Sequence, residues 1–116
     1  MRKVQPNEAA AYNAPGHFDM RAIRLHSKEE SGCENFTLGL SHFLPGGGTE
    51  YVKPPVELIY FILEGEMTVS DQDGKEICTL RKYDSMHFDA GEGKSILNKT
   101  NYPESMLVIA SMLPAK

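Results

Sequence analysis

Most of this chain consists of short apolar alternations separated by turn residues. From Met20 onward, hydrophobic and polar residues alternate with the period of two that is typical of half-buried β-strands, and no stretch keeps helical spacing between capping residues. The alternating segments are MRAIRL, ENFTLGLSHFL, ELIYFIL, EMTVS, EICTL, DSMHFD, KSILN and SMLVIASML. The pattern predicts an all-β barrel or sandwich with at most one short helical turn.

The size and charge of the chain limit its organisation and its partners. A length of 116 residues suits one compact domain, and we expect an extended N-terminal arm at 1–20 followed by a single barrel domain at 21–116. The 12 basic and 16 acidic residues are interleaved, which argues against nucleic acid as a partner. No apolar run is long enough to span a membrane, so we expect a soluble cytoplasmic protein without a membrane partner.

Turn signals divide the predicted strands. Asp73 and Gly74 form the dipeptide best suited to a tight hairpin between EMTVS and KEICTL. The sequence at 64–66, Glu-Gly-Glu, interrupts an apolar run and predicts a bend. Three glycines at 46–48 indicate a flexible loop.

A glycine frame around residues 45–66 resembles the first signature motif of the cupin superfamily, a family of small β-barrels. Gly46 and Gly65 match the two ends of that motif, and the segments at 45–47 and 60–66 resemble its PGG and YxLEGE flanks. The resemblance extends over roughly Phe36 to Leu113 and implies a cupin-type jelly roll, also called a double-stranded β-helix.

The second cupin motif is matched in part. Gly91 and Asn98 occupy their expected positions, and Asp84 stands for the usual acidic residue. Tyr83 replaces the first glycine of the motif, and Asp89 replaces its proline.

The metal ligands of the family are missing from both motifs. The two histidine positions hold Val52 and Pro54, the glutamate position holds Leu58, and the histidine of the second motif is replaced by Lys94. Valine, proline and leucine cannot bind Fe, Mn, Ni or Zn, and a charged lysine repels a cation. We therefore expect a degenerate metal site and no metal cofactor.

Three side chains could supply chemistry in place of a metal. The resemblance places Lys94 in the cavity, where desolvation would lower its pKa; it could then act as a base, form a Schiff base or bind an anion. Alternatively, Lys94 lies at the barrel mouth in water. Tyr60 shares its strand parity with Leu58 and would face the cavity, either as a hydrogen-bond donor or as a core residue. His87 could be an acid or base if it faces inward, or a structural residue if it does not.

A relocated metal site is a further alternative. His42 precedes the first motif, and it could combine with His87 and a carboxylate from Glu50 or Glu57 to hold an ion. No spacing signal in the sequence points to this set.

These observations leave three functional hypotheses and an open question of catalysis. The first is a binding protein for an anionic or carbonyl-containing small molecule, whose pocket includes Lys94, Tyr60, Leu58, Val52, His87 and His42. The second is a metal-independent isomerase, epimerase or lyase-type enzyme that uses Lys94, His87 and Tyr60. The third is a metalloenzyme with the relocated ligands. Since small barrels need covered sheet edges, we also expect a homodimer in which the arms are exchanged.

Overall fold

The computed structural model describes residues 1–112, and nine strands carry most of them. Their bounds are β1 Ala10–Tyr12, β2 His17–His26, β3 Phe36–Val52, β4 Leu58–Glu64, β5 Met67–Ser70, β6 Glu76–Leu80, β7 Ser85–Phe88, β8 Lys94–Leu97 and β9 Glu104–Ser111. Leu113 and the other residues after 112, which belong to the last predicted strand and to the end of the barrel domain, lie outside the described part. No helix in residues 1–112 has the length and hydropathy needed to cross a membrane.

Two short helical segments are present where at most one was expected. The first is a 3₁₀ turn at Pro6–Glu8, where the Glu8 carboxylate accepts a hydrogen bond from the backbone N–H of Gln5. The second, α1, covers Lys28–Ser31 and is capped by the Ser27 hydroxyl at its start and a left-handed Gly32 at its end. Both are too short for a hydrophobic period, so only their caps identify them.

The strands form an antiparallel jelly roll, as the alternating segments and the glycine frame predicted. The sheet order is β6-β5-β8-β3-β9-β4-β7, while β2 pairs with the other edge of β3 and β1 pairs with β2. The long strand β3 belongs to both halves of the barrel, because its residues 36–43 pair with β9 and its residues 48–52 pair with β8. The positive φ of +82° at Gly46 bends β3 between these two parts.

The glycines that follow this bend lie inside β3, so the expectation of a flexible loop was wrong. A Cβ at Gly47 would lie 2.2 Å from the carbonyl oxygen of Asp19, and a Cβ at Gly48 would lie 2.1 Å from that of Ile96. Neighbouring strands approach so closely that a side chain has no room. The glycine run is therefore a packing requirement of the barrel.

The predicted turns are confirmed. Gly74, at φ +78°, lies in the hairpin between β5 and β6, and Gly65, at φ +82°, lies in the bend between β4 and β5. Tyr83, which replaces a motif glycine, has the left-handed φ of +70° that a glycine would adopt without strain.

Asn98 fixes the loop before β9. Its amide group donates hydrogen bonds to the carbonyls of Phe43 and Tyr102, and its oxygen accepts from the backbone amide and hydroxyl of Thr100. The side chain is fully buried, so these bonds satisfy its polar atoms. The motif asparagine therefore holds the loop against β3.

The core fills the closed part of the barrel, and the N-terminal segment covers one side of it. The side chains that are at most 2% exposed include Phe43, Ile62, Met67, Val69, Ile96 and Met106. β2 covers residues 17–26, although its pairing with β3 is irregular between Phe18 and Met20. β1 pairs with β2 of the same chain. The first residues therefore extend the chain's own sheet.

Candidate functional site

A cavity of about 250 Å³ lies in the barrel beside the N-terminal strands. Half of its wall is apolar or lacks a side chain: Ala14, Leu38, Gly39, Val52, Pro54, Leu58, Val108 and Ala110. The remaining wall residues are polar: Tyr12, His17, Arg24, Thr37, Thr49, Tyr60 and Lys94. No aspartate or glutamate from the described chain lines this cavity.

Lys94 is the most deeply buried cation of the cavity. It begins β8 directly opposite Val52 of β3, and only 2% of it is exposed. Its Nζ lies 5.3 Å from the ring centroid of Tyr60 and 5.1 Å from that of Phe88, within the range of cation–π attraction. The structure thus places Lys94 inside the barrel and not at a wet mouth.

Burial changes the acid–base behaviour of this amine. Desolvation lowers the pKa of Lys94 to about 8, because the interior disfavours the charged form. Within residues 1–112, Lys94 takes part in no ion pair. Near pH 7 the cavity therefore contains a largely protonated amine whose charge is balanced by no carboxylate from residues 1–112.

Tyr60 lies beside Lys94 and is 4% exposed. Burial raises the pKa of its phenol above the ordinary value, and the nearby Tyr12 and Glu104 raise it further. The phenol therefore remains protonated and can donate a hydrogen bond to a ligand. Leu58, two residues earlier on β4, also lines the cavity, as the strand parity predicted.

His87 lies outside the cavity, so it does not join Lys94 and Tyr60. Alternation along β7 turns Met86 and Phe88 inward and leaves His87 exposed. Its Nε2 contacts the Glu57 carboxylate, and its Nδ1 lies 4.0 Å from Asp89. The hydrogen bond to Glu57 raises the pKa of His87. An acid or base role for this histidine on a ligand in the cavity is therefore excluded by its position.

His42 also points away from the cavity, and the relocated metal site does not form. Its Nδ1 is hydrogen-bonded to the hydroxyl of Ser105 on β9 at 2.8 Å. His87 pairs with Ile59 of β4, which in turn pairs with Ile109 of β9, so His87 lies at the level of Ile109. Four residues along a strand separate these levels by roughly 13 Å, far beyond the reach of one ion. Glu57 does meet His87, together with Asp89, in an exposed group of possible ligand atoms within 4.8 Å of one another.

Glu50 lies away from both histidines of the relocated-site hypothesis and does not join them in a metal site. It is exposed at the end of β3, and its Oε2 lies 3.6 Å from the position a Cβ would take on Gly16. Of the four residues of the relocated-site hypothesis, only His87 and Glu57 meet.

The residues at the family's metal positions do not fit a metal either. Val52, Pro54 and Leu58 offer no donor atom, and Lys94 would first have to lose its proton and then bind alone. A divalent cation needs several oxygen, nitrogen or sulfur ligands, which these four positions cannot supply.

Sequence reasoning missed the contribution of the N-terminal strands to the cavity. Arg24 of β2 lines it, and its guanidinium carbon lies 4.3 Å from the ring centroid of Tyr12 of β1. His17 is half-buried in the same wall and stacks near Phe43. Only the register of β2 on β3 shows which of these side chains face inward, and that register contains two irregularities.

One buried acid lies near the site but not in its wall. Glu104 begins β9 and is fully buried, and neither of its carboxylate oxygens is hydrogen-bonded to a residue in the range 1–112. Burial raises its pKa to about 8, so at neutral pH it is mainly a neutral acid.

Comparison with known proteins identifies the family. The model of the EutQ-like cupin domain matches residues 30–101 of the chain. The chain belongs to the EutQ-like cupin family. This cupin is 36% identical over 108 residues to a Mycobacterium tuberculosis protein named beta-D-galactosidase Rv1717, a match that covers 93% of this chain and 91% of that protein.

Solved cupin structures share the same architecture. The polyketide cyclase RemF from Streptomyces resistomycificus superposes with a TM-score of 0.83 at 21% identity, covering 96% of this cupin and 79% of the cyclase. A sugar phosphate isomerase of the cupin superfamily from Silicibacter pomeroyi gives a TM-score of 0.77 at 21% identity, covering 97% of this chain and 77% of the isomerase. At these identities the likeness concerns the fold alone.

Proposed function

We propose that this cupin binds a small anionic or carbonyl-containing metabolite in the barrel cavity, with Lys94 as its main anchor. The observation that carries the proposal is a buried ammonium that faces a cavity without any carboxylate from the described chain. At about 250 Å³ the cavity is slightly smaller than typical sites for drug-sized ligands, which suits a small metabolite.

The energetic cost of Lys94 supports a role in binding. The decrease of its pKa from 10.5 to about 8 corresponds to about 3 kcal/mol against folding at neutral pH. An anionic ligand would offset much of this cost, because a charge pair in a water-poor cavity is stronger than one at the surface. A methionine of similar length would avoid the cost altogether, but it could not bind an anion.

The test uses pyruvate as a probe, because it carries both a carboxylate and a carbonyl. We expect calorimetric binding to the wild type and at least about a tenfold loss of affinity in Lys94→Met, since charge-assisted hydrogen bonds contribute about 1.5–3 kcal/mol. Lys75→Met, at an exposed position beside the β5–β6 turn, is the matched control. If pyruvate, acetate and phosphate all fail to bind at millimolar concentration, the proposal fails.

A metal-independent enzyme of the isomerase, epimerase or lyase type is the second candidate. The lowered pKa of Lys94, beside a phenol that stays protonated, favours amine chemistry on a carbonyl substrate. In D₂O, an imine of pyruvate with Lys94 would accelerate exchange of the methyl protons, which proton NMR detects. Exchange that is equally fast with wild type, Lys94→Met and buffer would leave this cupin as a binder only.

Galactoside hydrolysis is a third candidate, and it rests on the relative named as a galactosidase. Most glycosidases use two carboxyl groups that flank the scissile bond, whereas the described cavity wall contains none. Release of nitrophenol from o-nitrophenyl β-D-galactoside tests the point directly. Turnover by the wild type that Lys94→Met abolishes would favour hydrolysis over simple binding.

We also propose a homodimer. Because β1 pairs with β2 of the same chain, we infer a contact through the outer face of the sheet in place of the exchanged arms expected from the sequence. Outward residues of β4, β9 and β3 make an apolar surface in two adjacent rows, Ile59 with Ile109 and Phe61 with Leu107 and Leu40. Sedimentation at micromolar concentration should give a dimer, and Ile109→Lys should give a monomer. Ile77→Lys, at an exposed position on β6, is the control. A monomeric wild type would disprove the dimer.

A further inference from the structure

Arg24 shares a row of the sheet with Tyr60. Register pairs Tyr60 with Val108, Val108 with Gly39, and Gly39 with Arg24, across β4, β9, β3 and β2. Residues level with one another on neighbouring strands point to the same face of a sheet. The Arg24 side chain is therefore directed into the same cavity as Tyr60, from the other end of the row.

Gly39, in the middle of this row, has no side chain and so leaves room for the side chain of Tyr12. The nearest atom to a Cβ built on Gly39 is the Tyr12 hydroxyl oxygen, at 3.5 Å, so the Tyr12 side chain reaches over the glycine. The Arg24 guanidinium in turn lies over the Tyr12 ring at 4.3 Å. Stacking on an aromatic ring holds the guanidinium plane while its N–H groups remain able to bind a carboxylate or phosphate in a bidentate manner.

Arg24, like Lys94, has no carboxylate partner among residues 1–112. Two cations therefore face one cavity from different strands, and no acidic residue of the described wall balances either charge. Three strand spacings separate Arg24 from Tyr60 along the row, which is roughly 14 Å between backbones for a flat sheet. The curved wall and the two long side chains reduce the gap that a ligand must span.

We propose that Arg24, held by Tyr12, is a second anion anchor of the cavity, and that the ligand is a short dianion with one acidic group at Arg24 and the other at Lys94. This inference rests on the proposed binding function and narrows its ligand class from any small anion to a two-ended one. It also gives the N-terminal strands a role in specificity.

The test measures how each substitution in the protein changes its preference for a dicarboxylate over a monocarboxylate. Calorimetry compares glutarate with pentanoate, which has the same chain length but lacks one carboxylate, on wild type, Arg24→Met and Lys94→Met. We expect the wild type to bind glutarate at least about tenfold more tightly than pentanoate. Arg24→Met should reduce that ratio to near one while still binding pentanoate through Lys94.

Control variants separate this role from a structural one. Arg21→Met removes a cation from the outer face of the same strand, level with His42, and should leave the ratio unchanged. Arg24→Lys keeps the charge but loses the planar fork, so an intermediate ratio is expected. Thermal unfolding of each variant shows whether it is folded, and only folded variants are included in the comparison of affinities.

The outcomes are distinguishable. If pentanoate and glutarate bind the wild type equally, or if Arg24→Met weakens both by the same factor, Arg24 is not a second anchor, although Lys94-dependent binding of either keeps the proposed function. If malonate, succinate, glutarate and adipate all fail to bind while pyruvate does, the dianion is refuted and the single anchor stands. If no anion binds, both proposals fail.

Discussion

Glu104→Gln converts the buried carboxyl group of Glu104, which has no hydrogen-bond partner in the described part of the chain, into a neutral amide of nearly the same shape. In the wild type, burial raises the pKa of this group from 4.5 to about 8, so the folded state binds more protons than the unfolded state between these values. Stability must therefore decrease as the pH rises through that window, and it is least affected below pH 4.5. Glutamine cannot ionise and has no such dependence.

The magnitude follows from the two pKa values. Because the unfolded state ionises Glu104 more readily than the folded state, the raised pKa lowers the free energy of unfolding by ~1 kcal/mol at pH 5, ~3 kcal/mol at pH 7 and ~5 kcal/mol at pH 9, relative to a residue that does not titrate. Any constant cost of burying the amide is the same at every pH. We therefore expect the free energy of unfolding of Glu104→Gln, relative to wild type, to increase by about 4 kcal/mol between pH 5 and pH 9.

Urea unfolding at pH 5, 7 and 9, followed by circular dichroism, measures this difference directly. Titration of all other groups, including Lys94, cancels between the two proteins. Glu34→Gln changes an exposed carboxylate and should show no comparable dependence on pH. Parallel stability curves for wild type and Glu104→Gln would refute the claim that Glu104 is buried as a neutral acid.

Three further substitutions test the energetics of the barrel. Lys94→Met should raise the free energy of unfolding by about 3 kcal/mol below pH 8, and this gain should decline as the pH rises towards 10.5, because the lowered pKa penalises only the charged amine. Tyr83→Gly should remove the backbone strain of a left-handed φ, about 1 kcal/mol, but it also loses the stacking of Tyr83 on Phe61. Since the two effects oppose each other, chemical denaturation should show no destabilisation. Gly48→Ala should cost several kcal/mol or prevent folding, since its Cβ would meet the Ile96 carbonyl; normal stability would contradict the close approach.

Sequence patterns identified the barrel and the inward direction of Tyr60 because both depend on local periodicity and a glycine frame. The direction of His87 could have been inferred from β7 itself, since Met86 and Phe88 form its apolar side and therefore face the core. Arg24 could not be found in the same way. Its place in the cavity depends on the pairing of β2 with a distant strand, and irregularities in that pairing change which side chains face inward.

Glycine-rich composition was misleading for a related reason. A run of glycines is compatible with a mobile loop and with a strand packed too closely for side chains, and local sequence does not separate the two. The contacts of Gly47 with Asp19 and of Gly48 with Ile96 decide it, and both involve residues far away along the chain.

The position of β9 between β3 and β4 affects how the chain can be synthesised and shortened. β3 and β4 follow one another in sequence but do not pair, because β9 is hydrogen-bonded to both. Until Glu104–Ser111 has left the ribosome, these two strands expose unpaired backbone edges that invite pairing with another chain. A premature stop codon before Glu104 should consequently yield an aggregating polypeptide and not a smaller barrel.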